Sequence, residues 1–230
     1  MRKILTIVSL LSLITFNANA LDRSSFSATV GIAQNNAVYG ATAKETNRAE
    51  DNTVKHIKNE SGVFTEGHSS GFLELNIGDF VSFGVEHTPD AISTPQKTTR
   101  DGTANEANVS VDFNDLNIAY LKLNIPGGAY LKAGIVDATL DVKETMGSGS
   151  TYSNASTEGT VMALGYAHAI GDTPFSIRVE GSYMSLDDVT SSNGVSITGG
   201  SVANGGRNQI DVRNLEGLTG KLALTFTLGK

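Results

Sequence analysis

The feature that most constrains this chain is an alternation of apolar and polar residues with period two, repeated along most of its 230 residues. The final stretch shows it well. Leu218, Leu222, Leu224, Phe226 and Leu228 share one parity; Thr219, Lys221, Ala223, Thr225 and Thr227 share the other. Successive side chains of a strand point to opposite faces, so such a segment builds one oily face and one polar face. Eight segments read this way: residues 26–46, 69–77, 80–88, 109–125, 129–143, 159–170, 175–186 and 208–228. The first has room for a bulge near Asn35-Asn36. Between them, short turns at Gly78-Asp79, Pro126 to Gly128 and Gly171 to Pro174 alternate with long polar segments at 47–68, 89–108, 144–158 and 187–207. Asn193-Gly194 is a two-residue hairpin signal inside the fourth long segment, where the seventh strand is expected to continue and fold back. The expected fold is all-β: an up-and-down antiparallel transmembrane barrel of eight strands, with ten as the runner-up.

Alternation does not say which face is inside. A soluble, lipocalin-like barrel hides its apolar face around a ligand, whereas a membrane barrel shows it to lipid. The polar parity here is mostly small, as in Ala163, Gly165, Ala167 and Ala169, with a few long charged residues. An eight-stranded barrel is just wide enough for side chains to fill its interior, which suits that set. The rhythm of long and short loops is also that of a membrane barrel. On this reading Leu121, Leu123, Leu131, Leu164, Ile177, Leu222, Leu224 and Phe226 face lipid. Phe80, Phe175 and Phe226 fit an inner aromatic girdle, and Tyr39, Tyr152, Tyr166 and Tyr183 an outer one. In the fourth strand the parity breaks. Val111, Phe113, Leu121 and Leu123 all look outward, so either Leu116 and Ile118 face the lumen or a bulge near Asn114-Asp115 resets the face.

The hairpin "KLNIPGGAYLKAGI" sharpens the question of orientation. Pairing outward from its turn sets Lys122 opposite Lys132, and like charges directly opposite on a sheet repel. On the lipid side each would cost up to ~2–4 kcal/mol. In the lumen they can be offset by carboxylates of the same parity. The expected lumen set is Glu74, Glu86, Lys122, Lys132, Arg178, Glu180 and Lys221. It is an ion-pair network, since buried charges must be paired.

Residues 1–20 read as an export leader: Arg2 and Lys3, an apolar run from Ile4 to Phe16, and the small-x-small site Ala18-Asn19-Ala20. The barrel then occupies 21–230. Removing the leader takes away two of the 17 basic residues and none of the 24 acidic ones, leaving nine more acids than bases. That balance argues against nucleic acid as a partner. Cysteine is absent, so the sheet must hold itself without disulfides. No enzyme site assembles. Glu86 and His87 are adjacent on a strand and point apart. His56 and His68 fall in the first long segment without tight metal-ligand spacing. "GSGS" at 147–150 and "GGSVANGG" at 199–206 are flexible loop composition rather than a phosphate cradle. No catalytic residue, metal or cofactor is expected.

The leader, eight alternating segments, three short turns and four long loops together resemble the small outer-membrane barrels of Gram-negative bacteria, the OmpA-like and opacity-protein-like group. The segment "PDAIST" at 89–94 also resembles short barrels of marine bacteria and their viruses. "GKLALTFTLGK" at the end resembles the group's C-terminal assembly signal, although it closes on Gly229-Lys230 and not on an aromatic. The resemblance implies a monomer in outer-membrane lipid, inserted by the barrel assembly machinery, whose loops meet a ligand, cell or phage outside. The alternatives are a narrow porin and a soluble periplasmic barrel binding an apolar ligand.

Overall fold

A computed structural model describes residues 26–48, 53–89, 92–101, 105–145, 152–192 and 208–229. They form strands β1 (Phe26–Arg48), β2 (Val54–Ile77), β3 (Val81–Thr88), β4 (Ile92–Ser93), β5 (Lys97–Asp101), β6 (Asn105–Asn124), β7 (Ala129–Thr145), β8 (Ala155–Ala169), β9 (Phe175–Leu186), β10 (Val189–Ser192) and β11 (Asn208–Leu228). Eight of them close a ring in the order β1-β2-β3-β6-β7-β8-β9-β11, and β11 returns to pair with β1. Every neighbouring pair is antiparallel, and the ring has no open edge at the level where it closes. Eight is therefore the strand number of the barrel, not ten.

The three remaining strands extend the wall upward. β3, β4 and β5 run one after another along β6, with Thr88 opposite Leu116, Ile92 opposite Phe113, and Lys97 opposite Val109. Pro89 and Pro95 fall in the breaks, where a residue without an N–H cannot serve the ladder. β10 continues the line of β9 along β11, with Val189 opposite Val212. Asn193-Gly194 lies outside the described residues.

The long segments are shorter than the sequence implies. β2 begins at Val54, not at residue 69, and pairs with β1 as far as Arg48. Most of 47–68 is thus a rising hairpin. Above a membrane both faces of a hairpin meet water, so apolar and polar residues need not alternate there. His68 is accordingly a strand residue, buried on the inner face. β7 likewise runs to Thr145, and β8 starts at Ala155. The "GSGS" and "GGSVANGG" segments lie outside the described residues.

Two irregularities set the facing. β1 and β11 slip register between Gly40 and Thr42, not near Asn35-Asn36, where pairing is regular. β6 slips against β7 between Asn114 and Asn117, with Asp115 at φ 50°. An extra residue there reverses the parity, so both options for this strand hold at once: there is a bulge, and Leu116 and Ile118 also turn inward. Phe113 turns inward with them, at 6% exposure, and Val111 packs against the same interior cluster. Neither belongs to the lipid face.

The outer face of the ring carries the oil. Leu121, Leu123, Leu131, Leu164, Ile177, Leu222 and Leu224 are all exposed, and Phe226 is half-buried against the Phe175 ring 5.1 Å away. On β11 this face runs from Leu218 to Leu228, the ~9–11 residues a strand needs to cross a bilayer. A soluble barrel requires the opposite orientation. The girdles differ from expectation. Tyr39 and Tyr152 are buried, while Tyr166 is exposed but sits opposite Ala129, at the short-turn end. Of the four tyrosines, Tyr183 alone faces out near the upper rim.

Candidate functional site

The interior is built in three storeys. At the short-turn end it is a mesh of small polar side chains. The Asn76 amide donates to the Thr29 hydroxyl at 2.9 Å, and the hydroxyls of Ser176 and Thr225 lie 2.6 Å apart. The middle storey is ionic. The upper storey is apolar, formed by Tyr39, Phe113, Leu116, Val136, Leu140 and Met184 among others, with Ile92 of β4 and Val189 of β10 folded into it.

The ionic storey contains all seven charged residues singled out in the sequence, none more than 9% exposed. They come from β2, β3, β6, β7, β9 and β11, and each reaches the axis because its parity points inward. Glu74 accepts both guanidinium nitrogens of Arg178, at 2.7 and 2.8 Å, and the Lys122 ammonium at 2.6 Å. Glu86 accepts Lys221 on both oxygens at 2.6 Å and Lys132 at 3.3 Å. Glu180 accepts Lys132 at 2.6 Å, with Lys221 at 3.2 Å. Each carboxylate also accepts one hydroxyl: Tyr120 on Glu74 at 3.0 Å, Ser70 on Glu86 at 2.7 Å, and Tyr130 on Glu180 at 3.0 Å. Two cations and one hydroxyl on each carboxylate satisfy what burial demands.

Four bases against three acids leave one positive charge over. Aromatic rings absorb part of it. Lys132 Nζ stands 4.7 Å from the centre of the Tyr120 ring, and the Arg178 guanidinium 5.4 Å from that of Phe72. The negative face of a ring attracts a cation, more strongly away from water.

The aromatics fit because each lies over a glycine. Phe72 is the cross-strand partner of Gly31, Tyr120 of Gly84, and Tyr130 of Gly165. A Cβ on those glycines would meet the ring at 2.2, 2.3 and 2.2 Å respectively. The rings therefore lie flat against the wall, and the axis is left to the charges. The remaining void in this storey is about 10 Å³, roughly the space of one water.

Sequence reasoning missed the apolar storey. Its one signal was the parity conflict in β6, where Leu116 and Ile118 fall out of step with Val111 and Phe113. It also missed the ring-on-glycine pairs, whose partners lie on neighbouring strands. The cations outnumber the carboxylates by one, and Arg178 Nε is buried without a hydrogen-bond partner. Every carboxylate is engaged, and among the described residues no group of three or more His, Asp or Glu is disposed to hold a metal ion.

A closed antiparallel ring of eight strands, oily outside and ionic within, is a β-barrel of the outer-membrane class. OprG, an outer membrane protein of Pseudomonas aeruginosa, superposes with a TM-score of 0.53 at 12% identity, covering 86% of this chain and 96% of its own. The outer membrane protease OmpT of Escherichia coli follows at TM-score 0.46 and 9% identity, over 88% of this chain and 97% of its own. Ail, the attachment invasion locus protein of Yersinia pestis, gives 0.38 and 8%, over 85% and 98%. At such identities the likeness is one of fold, and it rests on OprG. No protein-family model matches the sequence, and no curated protein matches it.

Proposed function

We propose that the chain is a monomeric, non-catalytic outer-membrane barrel that contributes to the envelope structurally and meets ligands, cells or phage through its extracellular hairpins. Residues 1–20 act as the export leader, and the barrel assembly machinery inserts the rest. The interior is a plug and not a pore. The observation that carries this reading is the ionic storey, where seven long side chains converge with room for about one water between them. A predominantly apolar storey lies directly above it, a second layer that closes over the charges. The extracellular role is supported by the height of the β1–β2 hairpin, whose Ile57 and Val63 are exposed well above the belt.

Planar-bilayer recording tests the plug. The purified barrel should show no steady conductance. Regular open channels that vanish when Lys122 and Lys132 are both neutralised would replace this reading with a narrow porin. Extraction by carbonate would refute membrane insertion itself.

A further inference from the structure

The outer wall is not uniformly convex. A concavity of about 420 Å³ lies over β2, β3, β6 and β7. Two cross-strand rows build it. Leu73, Val85, Ala119 and Ile135 are successive partners, and two residues higher so are Gly71, His87, Asn117 and Asp137. Both rows point outward, because they alternate with the buried Phe72, Glu86, Ile118 and Val136. Ala119 is only 5% exposed and forms the floor, while Leu73 and Val85 stand up beside it, each about half exposed. The lower row is continuous with the lipid-facing belt, and the upper row ends that belt in polar groups.

The chemistry of the upper row is set by its hydrogen bonds. The Asn117 amide nitrogen donates to the Asp115 carbonyl at 2.6 Å, so its oxygen is the atom 2.8 Å from His87 Nδ1. An amide oxygen accepts, hence His87 Nδ1 carries the proton, and in the neutral ring Nε2 keeps a lone pair. His87 is exposed on this outer face, with the Asp137 carboxylate in the same row. The rim therefore offers acceptors and negative charge. It suits a donor that is also a cation, and it disfavours a bare phosphate.

We propose that this groove retains one membrane lipid, its acyl chain lying along Leu73, Val85 and Ala119 and its ammonium headgroup bonded at His87 beside Asp137. The volume is that of a small-ligand pocket, and continuity with the belt makes a lipid the occupant. The inference rests on the membrane reading above.

The test uses the full barrel in vesicles of mixed phosphatidylethanolamine and phosphatidylglycerol, with a photoactivatable group in the acyl chain of one lipid at a time. Crosslinks are mapped to peptides by mass spectrometry. The ethanolamine-headed probe should label β2, β3 and β6 about fivefold more than the glycerol-headed probe, the worth of roughly one net hydrogen bond. Ala119→Phe and, independently, Gly71→Leu should reduce that labelling to the level found at Leu222 and Leu224. A Cβ at Gly71 meets nothing nearer than a backbone oxygen at 3.9 Å, and the position faces outward, so the second variant keeps the wall intact if the first does not fold. His87→Leu should abolish the headgroup preference. Equal labelling of both walls, or an uncharged sugar-headed lipid labelling as well as the ethanolamine one, overturns the proposal. If the barrel stays inserted and labels evenly, only the groove falls. If carbonate strips it from the vesicles, the membrane reading falls and the groove with it.

Discussion

Lys122 and Lys132 stand directly opposite each other across the β6–β7 hairpin, yet their ammonium groups bond to different carboxylates. Lys122 turns to Glu74 of β2, and Lys132 to Glu180 of β9. The hairpin thus does not hold two repelling charges side by side. It sends one to each flank of the lumen, and both are neutralised by strands that are distant along the chain. Removing any carboxylate should therefore disturb more than one cation.

Glu86→Gln is the sharpest case, because it leaves Lys132 and Lys221 sharing Glu180 alone. Breaking a buried pair by removing one partner costs about 3–5 kcal/mol. Urea unfolding from lipid vesicles should show a loss of that order. Adding Lys221→Met removes a cation as well, so the double variant should be more stable than Glu86→Gln alone. Equal or additive losses would mean that the storey is not a coupled network.

A glycine in the wall matters as much as a charge. In Gly165→Ala the new methyl would sit 2.2 Å from Cζ of Tyr130. The ring must swing inward and release Glu180, to which its hydroxyl donates at 3.0 Å. Such overpacking costs about 1–3 kcal/mol. Tyr130→Leu in the same chain should recover part of that loss, which a thermal midpoint from heat-modifiable gel migration would reveal.

The height of the bilayer can be read from two arginine substitutions. Leu164→Arg, in the belt, should cost about 2–4 kcal/mol if it lies near the midplane. Val63→Arg, on the rising hairpin and 75% exposed, should change stability by no more than about 0.5 kcal/mol. Comparable losses at both sites would place the hairpin in the membrane.

Above the belt, Asp112 is held by the Lys143 ammonium and by the Ser93 hydroxyl at 2.6 Å. Those bonds, Lys143 first, lower its pKa below the ordinary aspartate value of 3.8. A depressed carboxyl contributes stability that is present above its unfolded pKa and is lost as pH falls through the folded one. Amide exchange in β4 and the upper part of β6 and β7 should therefore quicken only below about pH 4, and Asp112→Asn should show the fast exchange already at neutral pH.

What could be read from residues alone was whatever one phase boundary writes into a strand. Where one face is oily and the other lines the ionic and small-polar lumen, the period of two is strict. Leu222 and Leu224 on one parity, with Lys221 between them, disclose their sides without any structure. The same logic separated Glu74, Glu86 and Glu180 from the oily face. It failed where the boundary ends. Residues 57–63 are exposed or half-exposed on both faces, and their strand left no alternation to find. At Asn114-Asp115 it offered the bulge that the structure contains, but not its consequence, that one extra residue turns Phe113 inward together with Leu116 and Ile118.

Only closure of the ring decided which charge meets which. Arg178 reaches Glu74 across 104 residues of chain, because closing eight strands into a circle leaves only β11 and β1 between β9 and β2 around one narrow space. A strand fixes the side its residues take by its own backbone geometry. The partner across the lumen depends on tilt, register and curvature, which belong to the barrel as a whole.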